Sequence, residues 1–167
     1  RNTHPEMMIA QNMEPRMREY MLYLPLYDTC DSLYIGVNEG AAVKASTLDS
    51  PQKDGYIIMY GTSILQGGCA SRPGMVFTSI LGRMLDRQVM NLGFSGNGRL
   101  DTEVAELIAA SHPSVVVIDA CPNIKDAELL AEKLPPFIKI IRDAQPDLPI
   151  LVCGSPMFPV VRYEKST

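Results

Sequence analysis

No apolar run in the 167 residues approaches the ~20 that cross a bilayer, so the sequence offers no membrane-spanning helix. It has no long run of one charge, no low-complexity tract and no internal repeat. Lys and Arg number 15 against 19 Asp and Glu, a formal net charge of -4. That balance argues against a nucleic-acid partner, because phosphate binding needs clustered cations. The four cysteines, Cys30, Cys69, Cys121 and Cys153, form no CxxC pair and have no histidine at zinc-finger spacing. No metal site and no cofactor are therefore expected, and the thiols read as small buried apolar groups. Cys121 and Cys153 stand at the ends of apolar runs. Their use leaves the compartment open. Histidine is scarce: only His4 and His112 are present. No signal peptide is visible and the chain opens on Arg1 without an initiator Met. The final VVRYEKST closes no element, so the sequence reads as a fragment or as a chain with its leader removed.

What remains is an ordinary one-domain length with 46% hydrophobic residues, enough for a real core. Residues 20–37, YMLYLPLYDTCDSLYIGV, read as two short strands around the polar turn Asp28–Asp31. Pro25 implies an edge or a bend. A hairpin is marginal alone, so this segment needs a partner surface. Its Leu22, Leu24, Leu33 and Ile35 would otherwise be partly exposed, and self-association through that edge is one expectation. Residues 44–54, KASTLDSPQKD, are polar and turn-rich and read as a linker.

Beyond it, strands alternate with helices. Strands are expected at 55–60, 89–92, 115–120 and 150–153. The run VVVIDA is continuously apolar, as a parallel strand covered on both faces requires. Phe77, Ile80, Leu81, Met84 and Leu85 give helical spacing over 74–86, with Ser71 and Pro73 near its start. Asp101 caps a helix carrying Val104, Leu107 and Ile108, and Asp126 opens another. Pro135-Pro136 should break that one and restart it at Phe137, because an internal proline clashes and lacks a donor. The pattern predicts an α/β fold, a parallel sheet flanked by helices and preceded by a partial β segment.

In such a sheet, ligands bind beyond the carboxyl ends of the strands. The sequence places Gly61-Thr62-Ser63 after the first strand, NLGFSGNG (91–98) after the second, CPN (121–123) after the third and GSP (154–156) after the fourth. A serine, glycine-rich backbone and an asparagine amide suit acyl transfer. Ser63 can attack a carbonyl, and the N–H groups of Ser63 and Gly96 with the Asn123 amide can hold the oxyanion. Each residue also has a structural reading: a turn or cap for Ser63, tight turns for the glycines, a turn for Asn123. Their joint placement at successive strand ends favours the chemical one. Arg72 and Asn97, on glycine-rich loops at the same edge, are candidate substrate contacts and equally plain solvated loop residues. A nucleotide site is the weaker alternative: GFSGNG is not GxGxxG, and GTSILQGG lacks the Gly-Lys pair of a phosphate loop.

Three blocks in this order, IIMYGTSILQGGCASRPGM, VMNLGFSGNGRLD and VVVIDACPN, resemble the SGNH hydrolases, or GDSL-like lipases and acylhydrolases. The resemblance implies a flavodoxin-like three-layer fold and a serine esterase acting through an acyl-serine intermediate. It places Ser63 as nucleophile, with Gly96 and Asn123 in the oxyanion hole. Thr62 stands where the common form has aspartate, a change that bears on loop geometry. The likeness is nearest to a bacterial branch with an N-terminal β-sandwich module, whose Gly-x-Asp-Leu-Tyr-type turn is matched imperfectly by CDSLY. That implies a remnant module with its linker over 1–46 and a hydrolase domain over 47–167, truncated before its Asp-x-x-His block. It also implies a carbohydrate or other small-molecule ester, with acetyl the expected group, and a periplasmic or secreted site. Neither His4 nor His112 lies in an Asp-x-x-His block. His112 precedes the third strand, so it should sit ~17–20 Å from Ser63, across the length of a strand. The alternative is a noncatalytic binding module on an esterase-like scaffold.

Overall fold

The computed structural model describes residues 6–47 and 55–155. Four strands form one parallel sheet in the order β2-β1-β3-β4. They are β1 (Ile57–Gly61), β2 (Val89–Gly93), β3 (Val115–Asp119) and β4 (Ile150–Val152). The central strand β1 pairs Gly61 with Gly93 on one side and with Asp119 on the other. The carboxyl ends of β1, β2 and β3 are therefore level.

Alternation along β1 explains the layers. Ile58 and Tyr60 join Val116 and Ile118 in one buried cluster, closed by Ile108 of α3 (Thr102–Ser111) and by Phe137 and Ile141 of α4 (Ala127–Ala144). Ile57 and Met59 point the other way, with Val117, Leu65 and Leu81. Leu65 belongs to α1 (Ser63–Gln66) and Leu81 to α2 (Phe77–Leu85). The sheet thus has helices on both faces, as continuous apolar strands require. The Tyr60 ring stacks on Phe137 at 5.1 Å between centroids, and its hydroxyl accepts a hydrogen bond from the Leu100 N–H at 2.9 Å.

Three local expectations need correction. First, α4 runs unbroken through Pro135 and Pro136. Both prolines are exposed, and so are Ala131 and Glu132, whose carbonyls lose their donors. Water can satisfy those carbonyls, so the helix tolerates on its wet face what its core face would not. Second, residues 20–37 form no strand pairing; among the described residues 6–47 there is no strand at all. Extended chain becomes a strand only beside a partner's N–H and C=O groups, and none of the described residues supplies them there. Third, Cys30 and Cys69 are exposed, and only Cys121 and Cys153 are partly buried. The expected linker falls largely on 48–54, outside the described residues, as does His4.

Asp126 opens α4 as the sequence reads, its side chain accepting from the Leu129 N–H at 2.8 Å, and His112 closes α3 in the left-handed conformation at φ 52°. Asp101 precedes α3 but makes no side-chain cap bond.

Candidate active site

β1 ends at Gly61, where a Cβ would collide with the Asp119 carbonyl of β3. Glycine lets the two strands stay close at the sheet edge. The chain then turns at once into α1. Thr62, fully buried, is the N-cap, and its hydroxyl accepts from the Ile64 N–H at 3.3 Å. A threonine hydroxyl thus does the capping that an aspartate would do at that position. Ser63 is the first helical residue and is half-buried. Its hydroxyl has no hydrogen-bond partner among the described residues, and neither has its N–H.

α1 is a single turn, far too short to be stable by itself. It ends at Gly67, in the left-handed region at φ 109°. Asn91 of β2 secures it from below: its amide donates to the Leu65 carbonyl at 2.8 Å and to the Thr78 hydroxyl at 2.9 Å. Gly93 lies so near Gln66 that a Cβ would strike the Gln66 backbone.

The loop after β2 folds over the end of β1. The Phe94 N–H donates to the Gly61 carbonyl at 2.9 Å, and the N–H groups of Asn97 and Gly98 both donate to the Phe94 carbonyl. Gly98 is buried against the Gly61 carbonyl, with no room for a Cβ. Gly96 differs: it is exposed, with φ 70°, open space around it and an N–H unbonded among the described residues.

The loop after β3 brings Asn123, in the 3₁₀ turn Cys121–Asn123. Its amide nitrogen lies 3.4 Å from both the Phe94 and the Gly98 carbonyls. Those bonds are long, so they orient the amide while leaving it available to a stronger acceptor such as an oxyanion. Ser63, Gly96 and Asn123 therefore stand on three loops stitched together at one sheet edge.

The side chains of the other two candidates take no part in that stitching. The Asn97 amide donates only to the Ser95 carbonyl at 3.4 Å, within its own exposed turn. Arg72 is exposed and lines an open groove of about 540 Å³ with Met21, Tyr23, Gly74, Met75 and Arg83. None of Ser63, Gly96, Asn97 or Asn123 lines that groove. His112 is at the amino-terminal side of β3, the opposite edge from Ser63. Among the described residues no group of three His, Cys, Asp or Glu is placed to hold a metal ion.

Sequence reasoning passed over Asp119, Gln66 and Tyr27 at this edge, and read Cys121 and Cys153 only as apolar groups. Burial raises the carboxyl of Asp119 above its usual range. Burial, then the Asp119 charge, raises the thiols of Cys121 and Cys153. Tyr27 donates to the Ser63 carbonyl from outside the helix, and Gln66, the last residue of α1, bonds the Leu26 carbonyl and the Ser95 N–H. Tyr27 lies 36 residues upstream of Ser63, and no local pattern marks such a contact. A polar Gln closing a one-turn helix before Gly-Gly was the available signal for the other.

Comparison with known proteins agrees with this architecture. Residues 54–162 match the model of the GDSL-like lipase/acylhydrolase family, and residues 1–43 match that of the N-terminus of SGNH-hydrolase-type esterases. A crystal structure designated a GDSL-like lipase, from Bacteroides ovatus ATCC 8483, is 38% identical with a TM-score of 0.72. The match covers 78% of this chain and 37% of that one, so the chain spans little more than a third of that relative. The salicylyl-acyltransferase SsfX3 of a tetracycline biosynthetic pathway shares the fold at 24% identity and TM-score 0.55, over 66% of this chain and 32% of its own. AlinE4, an SGNH-hydrolase family esterase, shares it at 18% and 0.52, over 65% and 63%. No curated protein matches. On the family model covering most of its length, the chain belongs to the GDSL-like lipase/acylhydrolase family.

Proposed function

We propose that this protein is a serine esterase that removes small acyl groups, acetyl foremost, from a carbohydrate or other small-molecule alcohol. Ser63 Oγ attacks the acyl carbonyl carbon and its proton passes to a base. The carbonyl oxygen becomes an oxyanion, held by the N–H groups of Ser63 and Gly96 and by the Asn123 amide. Collapse expels the alcohol, which takes up the proton. Water then attacks the acyl-serine by the same route in reverse. The observation that carries this reading is the pair of N–H groups, on Ser63 and Gly96, unbonded among the described residues, on loops tied to an amide held by 3.4 Å bonds. Unspent donors on three tethered loops are preorganised for a charge that develops only during reaction.

In this reading the base is an imidazole outside the described residues. Residues 1–46 belong to an N-terminal β-sandwich module and 47–167 to the hydrolase domain. Arg72 and Asn97 are assigned to the substrate's alcohol part. The test is hydrolysis of a short-chain chromogenic ester and of an acetylated sugar by the full-length product of the reading frame. Ser63→Ala should lower kcat by about 10³-fold or more. Turnover untouched by Ser63→Ala would refute the nucleophile.

A second reading is a noncatalytic binding module. It draws on the absence of any imidazole beside Ser63 among the described residues. Saturable binding of an acetylated sugar by the full-length product, without turnover, would favour it.

A further inference from the structure

We infer that Tyr27 and Gln66 are positioning residues that set the distance between the Ser63 and Gly96 donors, so that the N-terminal segment is part of the esterase geometry. The inference rests on the esterase reading.

The Ser63 carbonyl accepts three hydrogen bonds: from the Gly67 N–H at 3.1 Å, the Gly68 N–H at 2.8 Å and the Tyr27 hydroxyl at 3.0 Å. The first two close the single turn of α1. The third comes from a residue 36 positions upstream. Gln66 reaches in two directions at once. Its amide nitrogen donates to the Leu26 carbonyl at 3.0 Å, and its amide oxygen accepts from the Ser95 N–H at 2.8 Å. Only one orientation of the amide satisfies both, since one partner needs a donor and the other an acceptor. Apolar contact completes the joint. The Leu26 side chain presses on Gly67, where a Cβ would come within 2.6 Å of it.

The positions of these bonds give them their meaning. Gln66 lies three residues after Ser63, and Ser95 lies one before Gly96. A single side chain therefore spans the two loops whose N–H groups are assigned to the oxyanion. Tyr27 and Leu26 fix the outer side of the same turn. Neither Tyr27 nor Gln66 needs to touch substrate; each acts through the placement of a donor. Displacing such a donor by an ångström costs rate while leaving affinity nearly unchanged.

The test is steady-state kinetics of the full-length reading-frame product on a chromogenic acetate ester, with melting temperature as the control for folding. Gln66→Met keeps the reach and removes both hydrogen bonds. It should lower kcat by about 10- to 100-fold with KM within about threefold of wild type. Tyr27→Phe removes one bond from an exposed ring that has no reason to unfold. It should lower kcat by about fivefold. If Gln66→Met fails to fold, Tyr27→Phe decides alone. Wild-type kcat in the folded variants, or a raised KM with kcat unchanged, would overturn the inference. An inert wild-type protein would sink the esterase reading and this inference with it; an active wild type with unaltered variants would sink the inference alone.

Discussion

Residues 6–47 and residues 55–155 are both rich in apolar side chains, yet they fare very differently. In the second stretch Ile58, Tyr60, Val116, Phe137 and Ile141 are at most 1% exposed. In the first, Leu22, Leu24, Leu33 and Ile35 remain at least 51% exposed. Apolar content is therefore not what makes a core. The second stretch supplies strands with partners on either side and helices of matching period for both faces. The first supplies extended chain with no ladder, and its ties to the domain are a few directed contacts. Arg83 donates to the Tyr23 hydroxyl at 2.8 Å, Tyr27 donates to Ser63, and Gln66 donates to Leu26.

The most forceful way to break that comparison is to truncate one side chain from each stretch. Phe137→Ala removes a buried ring stacked on Tyr60 and should cost about 3–5 kcal/mol in urea denaturation. Leu24→Ala should cost no more than about 0.5 kcal/mol. Equal costs would mean that the N-terminal segment shares the core.

A smaller effect separates two glycines in one loop. Gly98→Ala drives a methyl into the Gly61 carbonyl and should cost up to about 3 kcal/mol. Gly96→Ala has open space and meets only the left-handed backbone penalty, about 1–2 kcal/mol. Thermal melts of the two variants compare them directly, and a larger loss at Gly96 would reverse the assignment of which glycine is packed.

The smallest effect is read against pH. Burial holds the Asp119 carboxyl protonated to higher pH in the folded chain than in the unfolded one. Across that window the native state binds more protons, so stability falls as pH rises. Below the ordinary aspartate range the group contributes no penalty; above the raised folded value the penalty is complete. Asp119→Asn should therefore gain stability over wild type as pH rises from the ordinary aspartate value toward neutrality. A difference that is flat or falls with pH would contradict it. The same substitution removes a charge that raises the Cys121 and Cys153 thiols, so it should also speed their alkylation at mildly alkaline pH.

The sheet was legible because continuous apolar runs such as VVVIDA leave few alternatives to a strand, and the meeting of the candidate loops was legible because parallel sheets expose their loops at one edge. His112 was placed at the far edge by the same logic, and it lies there. Three things were hidden for physical reasons. Pro135-Pro136 stays helical because both rings face water, and facing is a property of the packed helix. Residues 20–37 show strand alternation, but pairing depends on a partner that the segment's own residues do not specify. The Gln66 bridge depends on Leu26 and Ser95 at once, 40 residues upstream and 29 downstream, which no local pattern reports.

The most direct test of the central claim is the intact mass of the full-length reading-frame product after reaction with a fluorophosphonate, followed by mapping of the adduct. A single adduct on Ser63, absent from Ser63→Ala, is the result expected of an activated serine beside preorganised donors. An unmodified mass, or an adduct at another residue that survives Ser63→Ala, would contradict it.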